Sequence, residues 1–182
     1  MEEKQLFFEL LQSEQRRRDL ALLAACNETT AGFGLTLSPE EAGELIRRRD
    51  ESLKKYGRVE FGGGILDRLV YAFCDSPYLN QDNYSEMLGQ LQDIFYEFKN
   101  ETEGQMTDEE LLNFMREQFD EVCFGDAGYL EDTCLNRFAA GVRAGYRTYH
   151  ASDGRQSYEP FSEEARWDSE LYLEALRELC WR

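Results

Sequence analysis

Apolar residues recur at helical intervals through most of this chain. Leu6, Phe7, Leu10 and Leu11 begin the pattern, forming one stripe of a 3.6-residue period. Residues 12–19 hold no apolar side chain before Leu20, Leu22 and Leu23 resume. The first segment is therefore either one helix with an exposed middle or two helices meeting near Ser13. Ser38, Pro39 and Glu41 make a strong helix start, with a capping hydroxyl, a proline in the first turn and a glutamate placed to complete a capping box. Ala42, Leu45, Ile46, Arg49 and Leu53 supply its face, and Gly57 is a stop in the left-handed cap conformation.

The same reasoning predicts a helix carrying Ile65, Leu66, Leu69, Val70 and Phe73, closed before Pro77. Another runs from Tyr84 through Met87, Leu88, Leu91, Phe95 and Phe98. Thr107 caps the next, with Leu111, Leu112, Met115, Phe119 and Val122 inward. A longer one reads Leu130, Cys134, Phe138, Val142, Tyr146 and Tyr149; after a polar loop, Ser162 starts a last helix with Leu171, Tyr172, Ala175, Leu176 and Leu179. Residues 35–37 and 59–61 are short, and the second alternates apolar with polar, so at most a two-stranded antiparallel ribbon is expected there. No internal repeat of solenoid length is present. The expected fold is mainly α: a single compact multi-helix domain over residues 1–182, with an N-terminal helical segment at 1–25, a core at 30–150 and a C-terminal helix at 162–182.

Charge changes the picture once it is divided along the chain. The 182 residues carry a formal net charge of −17. Residues 73–136 hold 16 of the 37 acidic side chains and only 2 of the 20 basic ones, Lys99 and Arg116, for a net −14. Nucleic acid is bound through lysines and arginines that displace counterions, so ordinary nucleic-acid binding is disfavoured, as is adhesion to an anionic membrane. No stretch approaches the length of a membrane span. The acidic N-terminus lacks the apolar core of a secretory signal, so a cytoplasmic location is expected. The cysteines, Cys26, Cys74, Cys123, Cys134 and Cys180, are odd in number and widely spaced, with no Cys-x-x-Cys. Reduced, buried thiols are the expectation.

Candidate chemistry is sparse. The run RVEFGGGILDRLVYAF places Gly62, Gly63 and Gly64 between an alternating segment and a helix, the order in which phosphate cradles are built. A Walker loop needs a lysine after its glycines, and a dinucleotide fingerprint needs a parallel sheet. Here Ile65, Leu66 and Asp67 follow, and Asp67 repels phosphate. The glycines are expected to be a backbone pivot. Metal sites of the di-iron kind need two histidines where the chain has only His150. The segment from Asn80 has Ser85 where a calcium loop needs glycine and Leu91 where it needs glutamate. No metal or cofactor is expected, and no Gly-x-Ser-x-Gly elbow is present. No sequence feature singles out a pair among the many carboxylates.

Two surfaces remain. Arg143, Tyr146, Arg147 and His150 lie at helical spacing near further tyrosines, an arrangement able to grip an anionic ligand; the alternative is that these arginines, like Arg16–Arg18 and Arg47–Arg49, offset the chain's own acids. Asp93, Glu97, Glu109, Glu110, Glu117, Asp120 and Glu121 fall on two consecutive helices. If their faces align they form a negative surface suited to a basic partner; the plainer reading is a solubility face.

The run FGLTLSPEEAGELIRRRDESLKKYGRVEFGGGILDRLVYAFCDSPYLNQDNY, with FMREQFDEVCFGDAGYLEDTCLNRFA further on, resembles a small Firmicutes family known as a domain of unknown function. The resemblance covers roughly residues 30 to 140. It implies an intracellular bacterial protein and brings no catalytic residue, cofactor or substrate. Residues and resemblance together lead to the expectation of a non-enzymatic protein-interaction module with an acidic helical face, its partner unknown and basic; the alternative is a small anionic-ligand binder or enzyme using Arg143, Arg147 and His150.

Overall fold

The computed structural model describes residues 2–102 and 105–143, together with the extended pairs Tyr146–Arg147 and Glu159–Pro160. Its helices are α1 (Glu2–Thr30), α2 (Pro39–Lys55), α3 (Leu66–Phe73), α4 (Tyr84–Glu101), α5 (Asp108–Glu121), α6 (Ala127–Tyr129) and α7 (Asn136–Arg143). A 3-10 turn, Ala31–Phe33, follows α1, and a π-helical turn, Leu130–Leu135, joins α6 to α7. The described residues are mainly helical. No helix among them is long and apolar enough to cross a membrane.

Local chemistry explains several of the starts and stops. Both capping boxes form: Ser38 Oγ accepts from the Glu41 amide while Glu41 accepts from the Ser38 amide, and Thr107 pairs with Glu110 in the same way. Gly57 takes φ +61°, and Arg58 N donates back to Leu53 O at 2.9 Å, which closes α2. The first segment is one continuous helix, unbroken at Ser13; most of its polar middle is exposed, while Asp19 turns inward and is buried.

α2 lies across α4 and α1, α1 also packs on α3, and α5 closes the bundle against α3 and α4. Phe73, Tyr84, Phe95, Tyr96, Phe98 and Phe119 are fully buried between these helices. Phe73 meets Phe119 edge-on at 5.6 Å, and Phe114 stacks on Phe138 at 4.0 Å; such aromatic pairs add to what their burial already contributes.

Two expectations are corrected. The ribbon between residues 35–37 and 59–61 does not form. Asn27 Nδ2 donates to Leu37 O and Asn27 Oδ1 accepts from Leu37 N, both at 2.8 Å. Gln81 does the same for Thr36, at 2.8 and 2.9 Å. Two side-chain amides thus satisfy the backbone that a neighbouring strand would have paired. In the other segment the polar residues turn inward: Glu60 accepts from the Tyr96 hydroxyl and Arg58 donates to Lys99 O, both at 2.8 Å. Val59 and Phe61 are left 78% and 90% exposed. The helix expected to run through Tyr149 ends at Arg143, and Tyr146–Arg147 is extended, pairing antiparallel with Glu159–Pro160. The expected helix at 162–182 lies outside the described residues.

Candidate functional site

α4 presents Gln90, Asp93, Ile94 and Glu97 on one face, as i, i+3, i+4 and i+7 spacing requires. Opposite them stand Ala127, Gly128 and Glu131, and Arg48 of α2 closes one side. Together these residues line a cleft of about 290 Å³. Each wall has a local cause. Asp126 Oδ1 accepts from Tyr129 N at 2.9 Å and so starts α6. Arg48 reaches α4 because Gly89 has no side chain: a Cβ there would lie 2.1 Å from Arg48 Nη1.

The cleft is electrostatically unbalanced. Arg48 pairs with Asp93 at 2.5 Å, a partly exposed bridge worth up to ~1 kcal/mol. Glu97 and Glu131 approach from the two walls. Burial, followed by the charge of Glu97 and lesser contributions from Asp132, a hydrogen bond with Glu97 and Asp93, holds the Glu131 carboxyl above its ordinary range. Three carboxyl groups therefore face one guanidinium. The chemistry available is the capture of a cationic group. Among the described residues no group of three His, Cys, Asp or Glu side chains is placed to hold a metal ion.

The structure divides the acidic residues singled out by sequence. Asp93 and Glu97 line the cleft. Glu109 and Glu121 are exposed on α5. Glu117 is half-buried, and burial followed by the charge of Glu121 pushes it up. Glu110 belongs to the capping box of α5. Asp120 accepts from Ser76 Oγ and pairs with Arg116 Nε, both at 2.6 Å. Glu110 and Asp120 thus hold the fold together. Of the arginine runs, Arg47 pairs with Glu44 and Glu51, Arg48 with Asp93, and Arg49 with Asp19 and Asp50.

Arg143 ends α7, while Tyr146 and Arg147 belong to the extended pair, so helical spacing no longer sets Arg143 and Arg147 on one face. The side chains of Arg143, Tyr146 and Arg147, and all of His150, lie outside the described residues. In the glycine loop, Gly62 and Gly64 take φ +64° and +60°, and a Cβ on Gly63 would lie 2.3 Å from Leu22 Cδ2.

Sequence reasoning missed Glu131. The sequence held a signal in the five-residue interval between Leu130 and Leu135, which fits the wider spacing of a π turn better than an α turn; both are fully buried.

The fold and its cleft define a mainly helical, acidic domain whose charged site lies between a long helix and a π-interrupted one. Residues 22–148 match a family of unknown function (DUF6323), and the chain belongs to that family. Neither the curated proteins nor the solved structures compared with it gave a match.

Proposed function

We propose that this chain is a non-enzymatic protein-interaction module, centred on the Asp93, Glu97 and Glu131 cleft, that receives a basic partner. Glu109, Glu117 and Glu121 of α5 are assigned to the same partner-binding surface in this proposal. The observation that carries the reading is the geometry of the cleft, where Asp93, Glu97 and Glu131 crowd round the single guanidinium of Arg48, and burial and the charge of Glu97 hold Glu131 above its ordinary range. A lysine or arginine side chain entering the cleft relieves that crowding, converting an unfavourable charge arrangement in the free protein into binding energy. The bacterial cytoplasm is part of this proposal and rests on the sequence resemblance.

The test is capture of partners from a bacterial lysate at low and high salt, comparing the wild type with Glu97→Lys, Glu131→Lys and the control Glu28→Lys. Glu28 is exposed on α1 and does not line the cleft. A partner retained at low salt, released at high salt, lost with both cleft variants and kept by the control supports the reading. Equal retention in all four proteins, or equal loss in all three variants, removes it.

A further inference from the structure

In the turn that also carries Glu131, a half-buried thiol faces a buried one. Cys123 follows the end of α5 and is buried; Cys134 lies in the π-helical turn and is half-buried. Their sulfurs are 3.6 Å apart and their positions 11 residues apart in sequence. The chain between them is folded to bring them together. Phe124 takes φ +49°, the one positive φ outside glycine among the described residues, and Gly125 takes +85°. Gly125 N donates to Phe119 O at 2.9 Å and Asp126 N to Cys123 O at 3.0 Å, pinning this reversal. A left-handed phenylalanine is strained, and a π turn is a feature that concentrates at functional sites. Both lie between the same two sulfurs or carry one of them.

We propose that Cys123 and Cys134 form a reversible dithiol–disulfide couple, oxidised by a hydroperoxide, whose closure draws on the turn that carries Glu131 into the cleft. The two thiols are unequal. The hydrogen bond from the Cys123 thiol pushes Cys134 down, with burial opposing and Arg137 assisting. The same bond and burial push Cys123 up. Cys134 is also the more exposed of the two and so the one a peroxide reaches, which makes it the attacking group and Cys123 the resolving one. The Cys134 thiolate attacks one peroxide oxygen; the O–O bond breaks, a sulfenic acid forms, and the departing hydroxide takes up a proton to become water. Cys123 sulfur, losing its proton, then attacks Cys134 sulfur. The S–S bond forms as the S–O bond breaks, and a second water leaves. Two thiols and one hydroperoxide, as hydrogen peroxide, give one disulfide and two waters. A small dithiol reductant reverses the step by exchange, ending as its own disulfide.

Closure brings the sulfurs from 3.6 Å to about 2.0 Å, and Glu131 shares the π turn with Cys134. Cys26 and Cys74 are buried thiols that burial pushes up, so they make poor attackers. The sulfur chemistry stands independently of the partner reading, because its readout is covalent.

The experiment treats the full chain with hydrogen peroxide, maps its peptides by mass, reverses the reaction with dithiothreitol, and follows hydrogen exchange. Expected results are the loss of two hydrogens, a crosslink between the Cys123 and Cys134 peptides, restoration by dithiothreitol, and altered exchange over residues 127–131. Cys123→Ser leaves a sulfenic acid at Cys134 that dimedone traps, and Cys134→Ser leaves none at Cys123. Absence of that crosslink in the wild type, a crosslink dominated by Cys26, Cys74 or Cys180, or equal trapping at Cys123 in Cys134→Ser overturns the couple. A disulfide that leaves exchange over 127–131 unchanged overturns its link to the cleft.

Discussion

Arg49 Nη2 donates to Asp19 Oδ2 at 2.6 Å, and the two side chains are only 6% and 1% exposed. This ion pair bolts α2 to α1 inside the bundle. Gln15 extends it, donating from Nε2 to Asp19 Oδ1 and to Gly62 O, each at 2.9 Å. Removing Arg49 strands Asp19 as a buried charge, whereas removing Asp19 leaves Arg49 its second partner, the exposed Asp50. Arg49→Met should therefore destabilise the fold by about 3–5 kcal/mol and Asp19→Ala by less, while the paired replacement by apolar residues should cost much less than the sum. Urea unfolding of the two single variants and the double variant checks this; additive losses would contradict it.

Gly64 lies at φ +60°, and a Cβ there would meet Glu60 Oε2 at 1.8 Å. Gly64→Val should therefore cost at least about 1–3 kcal/mol from the backbone conformation alone, with the collision added. Gly63→Val should suffer from Leu22, which its Cβ approaches to 2.3 Å. Thermal unfolding should show both losses equally with and without added nucleotide. A nucleotide-dependent difference would return the loop to the phosphate-binding class.

The Tyr96 hydroxyl donates to Glu60 Oε1 at 2.8 Å, while Glu60 Oε2 is buried with no protein partner. Burial holds Glu60 above its ordinary value of 4.5, and the Tyr96 bond opposes that rise. The folded state thus binds the Glu60 proton more tightly than the unfolded chain does. Stability from this group is full below pH 4.5 and is lost as pH rises through the folded value. Tyr96→Phe removes the donor and should cost about 1–3 kcal/mol, more at pH 7 than at pH 4, because the ionised carboxylate depends on that bond. Denaturant midpoints at the two pH values decide it.

Glu131 is raised in the same direction as Glu60, so its ionisation also detracts from stability as pH rises above 4.5. Glu131→Gln should make the free protein more stable at pH 7 and flatten the decline of stability with pH, while weakening capture of a basic partner. A variant that loses stability at pH 7 would show that the cleft carboxyls support the fold instead of being held against one another.

Arg48→Ala leaves Asp93 without its guanidinium. The bridge is partly exposed, so the variant should lose no more than about 1 kcal/mol in urea unfolding. Gly89→Ala should do similar harm by another route, since its Cβ would fall where Arg48 Nη1 lies.

The residues themselves determined the helical character, the capped starts of α2 and α5, and the stop at Gly57, because each depends on atoms within a few positions of one another. The apolar stripes likewise marked much of the core. The failed ribbon shows where local reasoning ends: Asn27 and Gln81, distant in sequence, satisfy the backbone of residues 36 and 37. Nothing near those residues announces such partners. The same holds for the acidic residues. Sequence located the excess charge between residues 73 and 136, but only tertiary packing assigned Asp120 to Arg116 and Ser76, let Arg48 lie over Gly89, and set Glu131 against Glu97. It also placed Cys123 beside Cys134 through a reversed loop and a widened turn. Helix identity follows from short-range periodicity, whereas charge pairing and thiol proximity follow from which faces meet, a property of the assembled bundle.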